Sequence, residues 1–314
     1  MPVPLDNPLT AEKIELGRRL FFDPGLSRDG TVSCATCHQA EKAFTDGRRI
    51  PLGIEQRAGR RNVPTLLNCA YGKSLFWDGR VVSLEDQALL PLTNPTEMGN
   101  TLEAILERLR SDSTYLRLFG AAFGEGPITD HQVAAALASY QRTLVAANSP
   151  YDRYVLLKDE TALSEPARRG LELFRSKARC AHCHEGELFT DQKFHNTGVS
   201  WGKEPLDLGR YEHTRREGDQ GKFKTPTLRH LTLTAPYMHD GSLATLEDVI
   251  DFYDRGANPN PHLDGAIQPL NLSAAEKADL LVFLECLSQP SHGRLSMETV
   301  AVGGAETRPV RSGE

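Results

Sequence analysis

At 314 residues the chain is long enough for about two domains, each with a substantial buried core. Hydrophobic residues at 39% and charged residues at 25% give an ordinary globular composition, and no apolar run approaches the roughly 18 residues of a membrane helix. A net charge of -6 lacks the basic footprint that phosphate backbones attract, which argues against nucleic acid as a partner.

In chain order, the opening MPVPLDNPLT carries neither a cationic nor an apolar export region. Thr10, Ser83, Thr101, Thr129, Ser164, Thr245 and Ser273 each precede an amphipathic stretch and are expected to be N-caps, with Ser273 and Glu276 forming a capping box. Strand-like alternation is scarce, so the predicted class is mostly α with long Gly/Pro-rich loops. The stretch AANSPYDRY, around Pro150, is the expected linker, dividing the chain into 1–150 and 151–314. The tail from Pro290 onward is polar and expected to be loosely ordered.

Four of the six cysteines form two copies of one pattern: CATCH at Cys34, Cys37 and His38, and CAHCH at Cys180, Cys183 and His184. CxxCH is the attachment pattern of a c-type haem, in which two thiols form thioethers and the adjacent His reaches the iron. A zinc ribbon would bring two CxxC units within about 20 residues of each other, and a redox dithiol needs no His after the second Cys. The chain is therefore predicted to hold two covalently bound haems. Covalent attachment takes place outside the bacterial cytoplasm, which predicts a periplasmic protein. Met1 is accordingly read as the start of a trimmed chain or a shortened gene model. Cys69 and Cys286 are left over; they could pair in an oxidising compartment, but two buried thiols are the plainer expectation.

The repeat extends beyond the cysteines. CATCHQAEKAFTDG parallels CAHCHEGELFTDQ, NVPTLLN parallels KTPTLRH, and FWDGRVVSLED parallels YMHDGSLATLED. Pro64, Asp78, Leu84 and Asp86 match Pro226, Asp240, Leu246 and Asp248 at a constant offset of 162. Two duplicated cytochrome c-like haem domains follow. At that offset Tyr253 falls on Pro91. A tyrosine phenolate can ligate iron and proline cannot, so the second haem is expected to be capped by Tyr253 and the first left open. Met238 and His239 are rival ligands for the second iron, and Met98 or His131 for the first. His239 matches Trp77 in the repeat, which marks it as an interior residue.

On the segments LGRRLFFDPGLS, SCATCH, RNVPTLLN, FWDGRVVSLEDQALLPLTNPTEMG, CAHCH and FKTPTLRHLTLTAPYMHDGSLATLEDVIDFY, the chain resembles the bacterial di-haem cytochrome c peroxidase and MauG superfamily along nearly its whole length. The resemblance implies that His38 holds the peroxidatic iron and His184 the electron-transfer iron. It makes Trp77 a relay between the haems, Glu97 a distal acid/base acting on peroxide and Gln87 a further distal-pocket residue. It also implies a calcium site from the Asn62 side chain and the carbonyls of Thr234 and Pro236, hard oxygen donors suited to Ca²⁺.

Two departures place the chain within that group. The family's peroxidases carry a loop His that caps the peroxidatic iron until the second haem is reduced, and here the matching residue is Ile54. They also carry Met at the position of Tyr253. An anionic hard donor stabilises high oxidation states, whereas a thioether favours Fe(II), so Tyr253 resembles the MauG-like branch. A third departure is Ala178, where MauG has an exit Trp before its second CxxCH. The expected function is reaction with hydrogen peroxide at the His38 haem and oxidation of a protein substrate, typically at tryptophan. The alternatives are a peroxidase fed by a small cytochrome c or cupredoxin, and an electron carrier with both irons closed. The Arg210–Lys224 loop is a docking candidate.

Overall fold

The computed structural model describes residues 1–289; the tail from Pro290 lies outside them. The first half contains α1 (Ala11–Phe21), α2 (Cys34–Cys37), α3 (Leu84–Thr93), α4 (Leu102–Ser111), α5 (Ser113–Phe123) and α6 (Asp130–Arg142). The second contains α7 (Pro150–Leu156), α8 (Glu165–Arg175), α9 (Tyr211–Thr214), α10 (Leu246–Asp254) and α11 (Ala274–Glu285), with one two-stranded antiparallel ribbon of β1 (Phe194–His195) and β2 (Phe223–Lys224). The fold is mostly α.

Each of the seven expected caps satisfies an otherwise orphaned amide at its helix N-terminus. Ser273 accepts from Glu276 N, and the Glu276 carboxylate accepts from Ser273 N at 2.7 Å, completing the capping box.

Two separate apolar cores form, one built from Leu16 to Ala146 and the other from Leu163 to Leu287. In each, two helices cross in close contact at a glycine. A Cβ added to Gly17 of α1 would lie 1.9 Å from the Ala136 carbonyl oxygen of α6, and one added to Gly170 of α8 would lie 2.0 Å from that of Asp279 in α11. Four residues on, Phe21 packs against Tyr140, and Phe174 against Phe283. The duplication therefore extends to α1 and α8, ahead of each CxxCH motif, which the motif comparison had not included.

The expected linker stretch has no regular structure up to Ser149 and then enters a helix. Ser149 caps α7 with Pro150 at its first turn, a good helix start because proline lacks the amide that would be orphaned there. Tyr151 packs on Phe189 and Phe283, and Asp152 pairs with Arg229 in the second core's wall.

Candidate functional site

Both CxxCH motifs sit on single helical turns, which puts their thiols on one side of the turn with the His immediately after. In the first, His38 N donates to Cys34 O at 2.9 Å, and in the second His184 N donates to Cys180 O at 2.9 Å. The imidazoles are held alike: Nδ1 lies 2.8 Å from the Phe44 carbonyl in one and 2.9 Å from the Phe189 carbonyl in the other. Those carbonyls are turned inward by left-handed backbones at Phe44 (φ 52–59° across Ala43 and Phe44) and Phe189 (φ 52°). An Nδ1–H donated to a carbonyl fixes the tautomer and leaves Nε2 free for iron. Burial lowers the pKa of both histidines, favouring the neutral ligand form.

Both motifs open into one cavity of about 850 Å³ shared by the two halves. Every predicted site residue lines it: Cys34, Cys37, His38, Asn62, Trp77, Gln87, Pro91, Glu97, Cys180, Cys183, His184, Thr234, Pro236 and Tyr253. Free Nε2 atoms, paired thiols and a largely apolar wall fit two covalently held haems.

Pro91 on α3 and Tyr253 on α10 line the cavity from matching helices. Proline at this point removes the amide that would bond the Gln87 carbonyl. The Tyr253 phenol is pushed up to about 12 by burial, with Thr197 acting in the opposite sense. Of the rival ligands, His131 is exposed. The His239 ring stacks on Phe223 at 3.5 Å with its Nε2 2.8 Å from Ser200 Oγ, as expected of an interior residue. Met98 and Met238 do line the cavity.

The Glu97 loop is fixed to the end of α3. Met98 N donates to Pro91 O at 3.2 Å, Ile54 N donates to Glu97 O at 2.8 Å, and the Asn94 amide donates to Glu97 Oε1 at 2.7 Å. Burial raises the Glu97 pKa against that amide's opposing effect. The Ile54 side chain is fully buried in the first core beside Gly99.

Trp77 stands at the seam between the halves. Its Nε1 donates to the Asn62 carbonyl at 2.8 Å, and its ring meets His239 edge to face. Two backbone bonds cross the seam in matching fashion: Asn62 N to His239 O and Lys224 N to Trp77 O, both 2.7 Å. The Asn62 amide nitrogen donates to Arg48 O at 2.9 Å, which leaves Oδ1 as its acceptor atom for a cation.

The polar loop unique to the second half is a clasp. Asp207 holds Arg61 through two bonds of 2.8 Å, and Glu212 accepts from Arg60 at 2.6 Å. Arg210 donates to the Asp78 carbonyl at 3.0 Å, and Lys224 donates to the Ser74 carbonyl at 2.8 Å. Both ends of the expected docking loop are thus directed into the seam. Cys69 and Cys286 are free thiols bonded to different carbonyls, those of Gln141 and Val282.

The motif comparison did not single out His195. It lies between Asp264 at 2.6 Å and Asp191 at 2.9 Å, two carboxylates that hold both ring nitrogens. The repeated Phe-Thr-Asp triplet, which places Asp191 opposite Asp46, was the available signal.

Residues 11–161 match the family model of di-haem cytochrome c peroxidase. The chain is 45% identical to methylamine utilization protein MauG of Methylorubrum extorquens, covering 91% of this chain and 81% of that protein. The chain belongs to the di-haem cytochrome c peroxidase and MauG family. It is 40% identical to cytochrome-c peroxidase IdrP1 of a Pseudomonas species, over 92% of this chain and 84% of that one. The crystal structure of a MauG-like protein associated with microbial copper homeostasis superposes with a TM-score of 0.86 at 38% identity, covering 95% and 97% of the two chains. As a member of this family the protein is a di-haem oxidoreductase of the peroxidase type, with two haem cofactors. Among the described residues, no helix is long and apolar enough to cross a membrane.

Proposed function

We propose that the protein is a periplasmic, MauG-like oxidase that reacts with hydrogen peroxide at the His38 site and passes oxidising equivalents to a protein substrate, typically a tryptophan side chain. The observation that carries this reading is the pairing of Pro91 with Tyr253 on matching helices of one cavity. The two cores support the division into residues 1–150 and 151–314.

Bound haem supplies, at each site, an iron centre that exchanges electrons with peroxide or with its neighbour. The protein's own groups do the rest. His38 and His184 present Nε2, and Pro91 keeps the distal side of the first site clear. Glu97 accepts a proton from one peroxide oxygen and returns it to the other at Oε2, since Oε1 is engaged by Asn94. Its raised pKa brings it closer to the working pH, where such transfer is most effective. Gln87 shapes the same distal wall. Trp77, between the two sites, offers an oxidisable ring whose N–H stays on a backbone carbonyl. Tyr253 would hold the second iron through its phenolate oxygen, with the phenol proton released to solvent, and that anionic donor would favour the oxidised states of the second site. Asn62 Oδ1 with the Thr234 and Pro236 carbonyls forms the proposed calcium site.

A second reading, hydrogen peroxide reduction with electrons from a small redox protein, is favoured by the relatives named cytochrome-c peroxidase. The deciding experiment adds peroxide to the fully ferric protein without reductant and follows Mössbauer and near-infrared spectra. Rapid two-equivalent oxidation is expected. Inertness until pre-reduction would replace the first reading with the second.

A further inference from the structure

Lys224 ends β2 and lines the shared cavity from the second half. Its ammonium reaches across the seam to the Ser74 carbonyl at 2.8 Å. Three N–H donors thus have one protein acceptor, and among the described residues no carboxylate pairs with them. The neighbouring Cys69 thiol is pushed up to about 12 by burial, so it is neutral and offers no anion. A desolvated ammonium is costly without a counter-charge, and burial accordingly lowers the Lys224 pKa.

The duplication gives this arrangement a meaning. At the offset of 162, Lys224 matches Asn62, Gly72 matches Thr234 and Ser74 matches Pro236. The set proposed to hold calcium in one half of the seam therefore becomes Lys224, Gly72 and Ser74 in the other. The matching backbone bonds from Asn62 N and Lys224 N, both 2.7 Å, show that the two sets occupy equivalent places. Where one carries an amide oxygen and needs a cation, the other carries its own cation on Ser74 O. Two further buried polar atoms, Ser74 Oγ on the residue whose carbonyl Lys224 reaches and Gln141 Oε1, also lack protein partners, and Gln141 lines the cavity.

We infer that Lys224 is a positioning residue for the cofactors: its ammonium is the built-in counterpart of the calcium proposed at Asn62, and its partner is a carboxylate of one of the two haems. The charge holds that haem's edge against the seam and stabilises its reduced iron. This inference rests on two haems filling the cavity and is independent of what they oxidise.

The test is a redox titration of the haem-loaded protein and its Lys224→Met variant. Loss of a cation beside one haem is expected to shift that haem's ferrous-to-ferric ratio at least tenfold toward ferric, about 59 mV for one electron, with a smaller change at the other. Two unmoved potentials in a fully loaded Lys224→Met protein would overturn the inference. If that variant loses haem, Lys224→Arg keeps the charge and moves the donors. Its resonance Raman carboxylate-bending band should then shift while the iron coordination markers stay, and an unchanged band would also overturn it. Neither readout uses peroxide turnover, so failure of the proposed reaction is a separate result.

Discussion

Trp77 and His239 occupy matching positions in the two halves and meet edge to face at the seam, their ring centroids 6.4 Å apart. Each also offers its carbonyl to the opposite half's residue two before the repeated proline, Pro64 or Pro226. The duplicated backbone thus folds onto itself symmetrically, and the side chains break the symmetry. Trp77 is an electron-rich indole. His239 is buried, with its pKa lowered by desolvation, and its ring is locked against Phe223 and Ser200.

Replacing Trp77 with Phe keeps an aromatic ring but removes the bond to the Asn62 carbonyl, at a cost of about 1 kcal/mol. Peroxide should still be consumed by the ferric protein. The near-infrared signature of charge shared between the haems should disappear, which stopped-flow spectroscopy will read. A retained signature would remove Trp77 from the relay.

For Tyr253→Met, spectroelectrochemistry should show the second haem's midpoint potential rising by more than about 59 mV, the one-electron equivalent of tenfold. A thioether stabilises Fe(II) where a phenolate does not. An unchanged potential and spectrum would exclude Tyr253 as a ligand.

Glu97→Gln should slow the peroxide reaction by about 10² to 10⁴-fold. Its effect on stability has a definite sign. The folded pKa of Glu97 is raised, so its contribution is fully present below the unfolded carboxyl value of about 4.3 and is lost as pH rises through the folded one. The neutral Gln variant should therefore gain melting temperature relative to wild type toward neutral pH and show no such gain near pH 4. Calorimetry across that range tests this, and an equal difference at both ends would contradict it.

Gly17→Ala and Gly170→Ala should each destabilise the protein, because the added methyl meets a backbone carbonyl that cannot rotate away. Overpacking of this kind costs about 1 to 3 kcal/mol or more. Thermal unfolding should show losses of several degrees in both variants, each confined to its own core. Wild-type stability in either one would mean that the helix crossing relaxes freely.

Much of the site was legible because the chain states it twice. The paired CxxCH motifs place four thiols and two histidines by local turn geometry alone, and the offset between repeats aligns Pro91 with Tyr253 before any fold is known. The seven caps were equally local, since each depends on residues within one turn. The second part of the linker stretch is a helix because Ser-Pro also opens one, and only the packing of Tyr151 reveals that it leans on the second core.

By itself, then, the sequence determined the paired CxxCH motifs, the repeat and the asymmetry between Tyr253 and Pro91. Only the tertiary structure decided how the halves meet. It set Trp77 against His239, turned the ends of the Arg210–Lys224 loop inward and placed Lys224 opposite Ser74. Those relations join residues more than 100 positions apart, and nothing within one turn or one repeat can specify a contact between repeats. They depend on which surfaces two separately folded cores bury against each other.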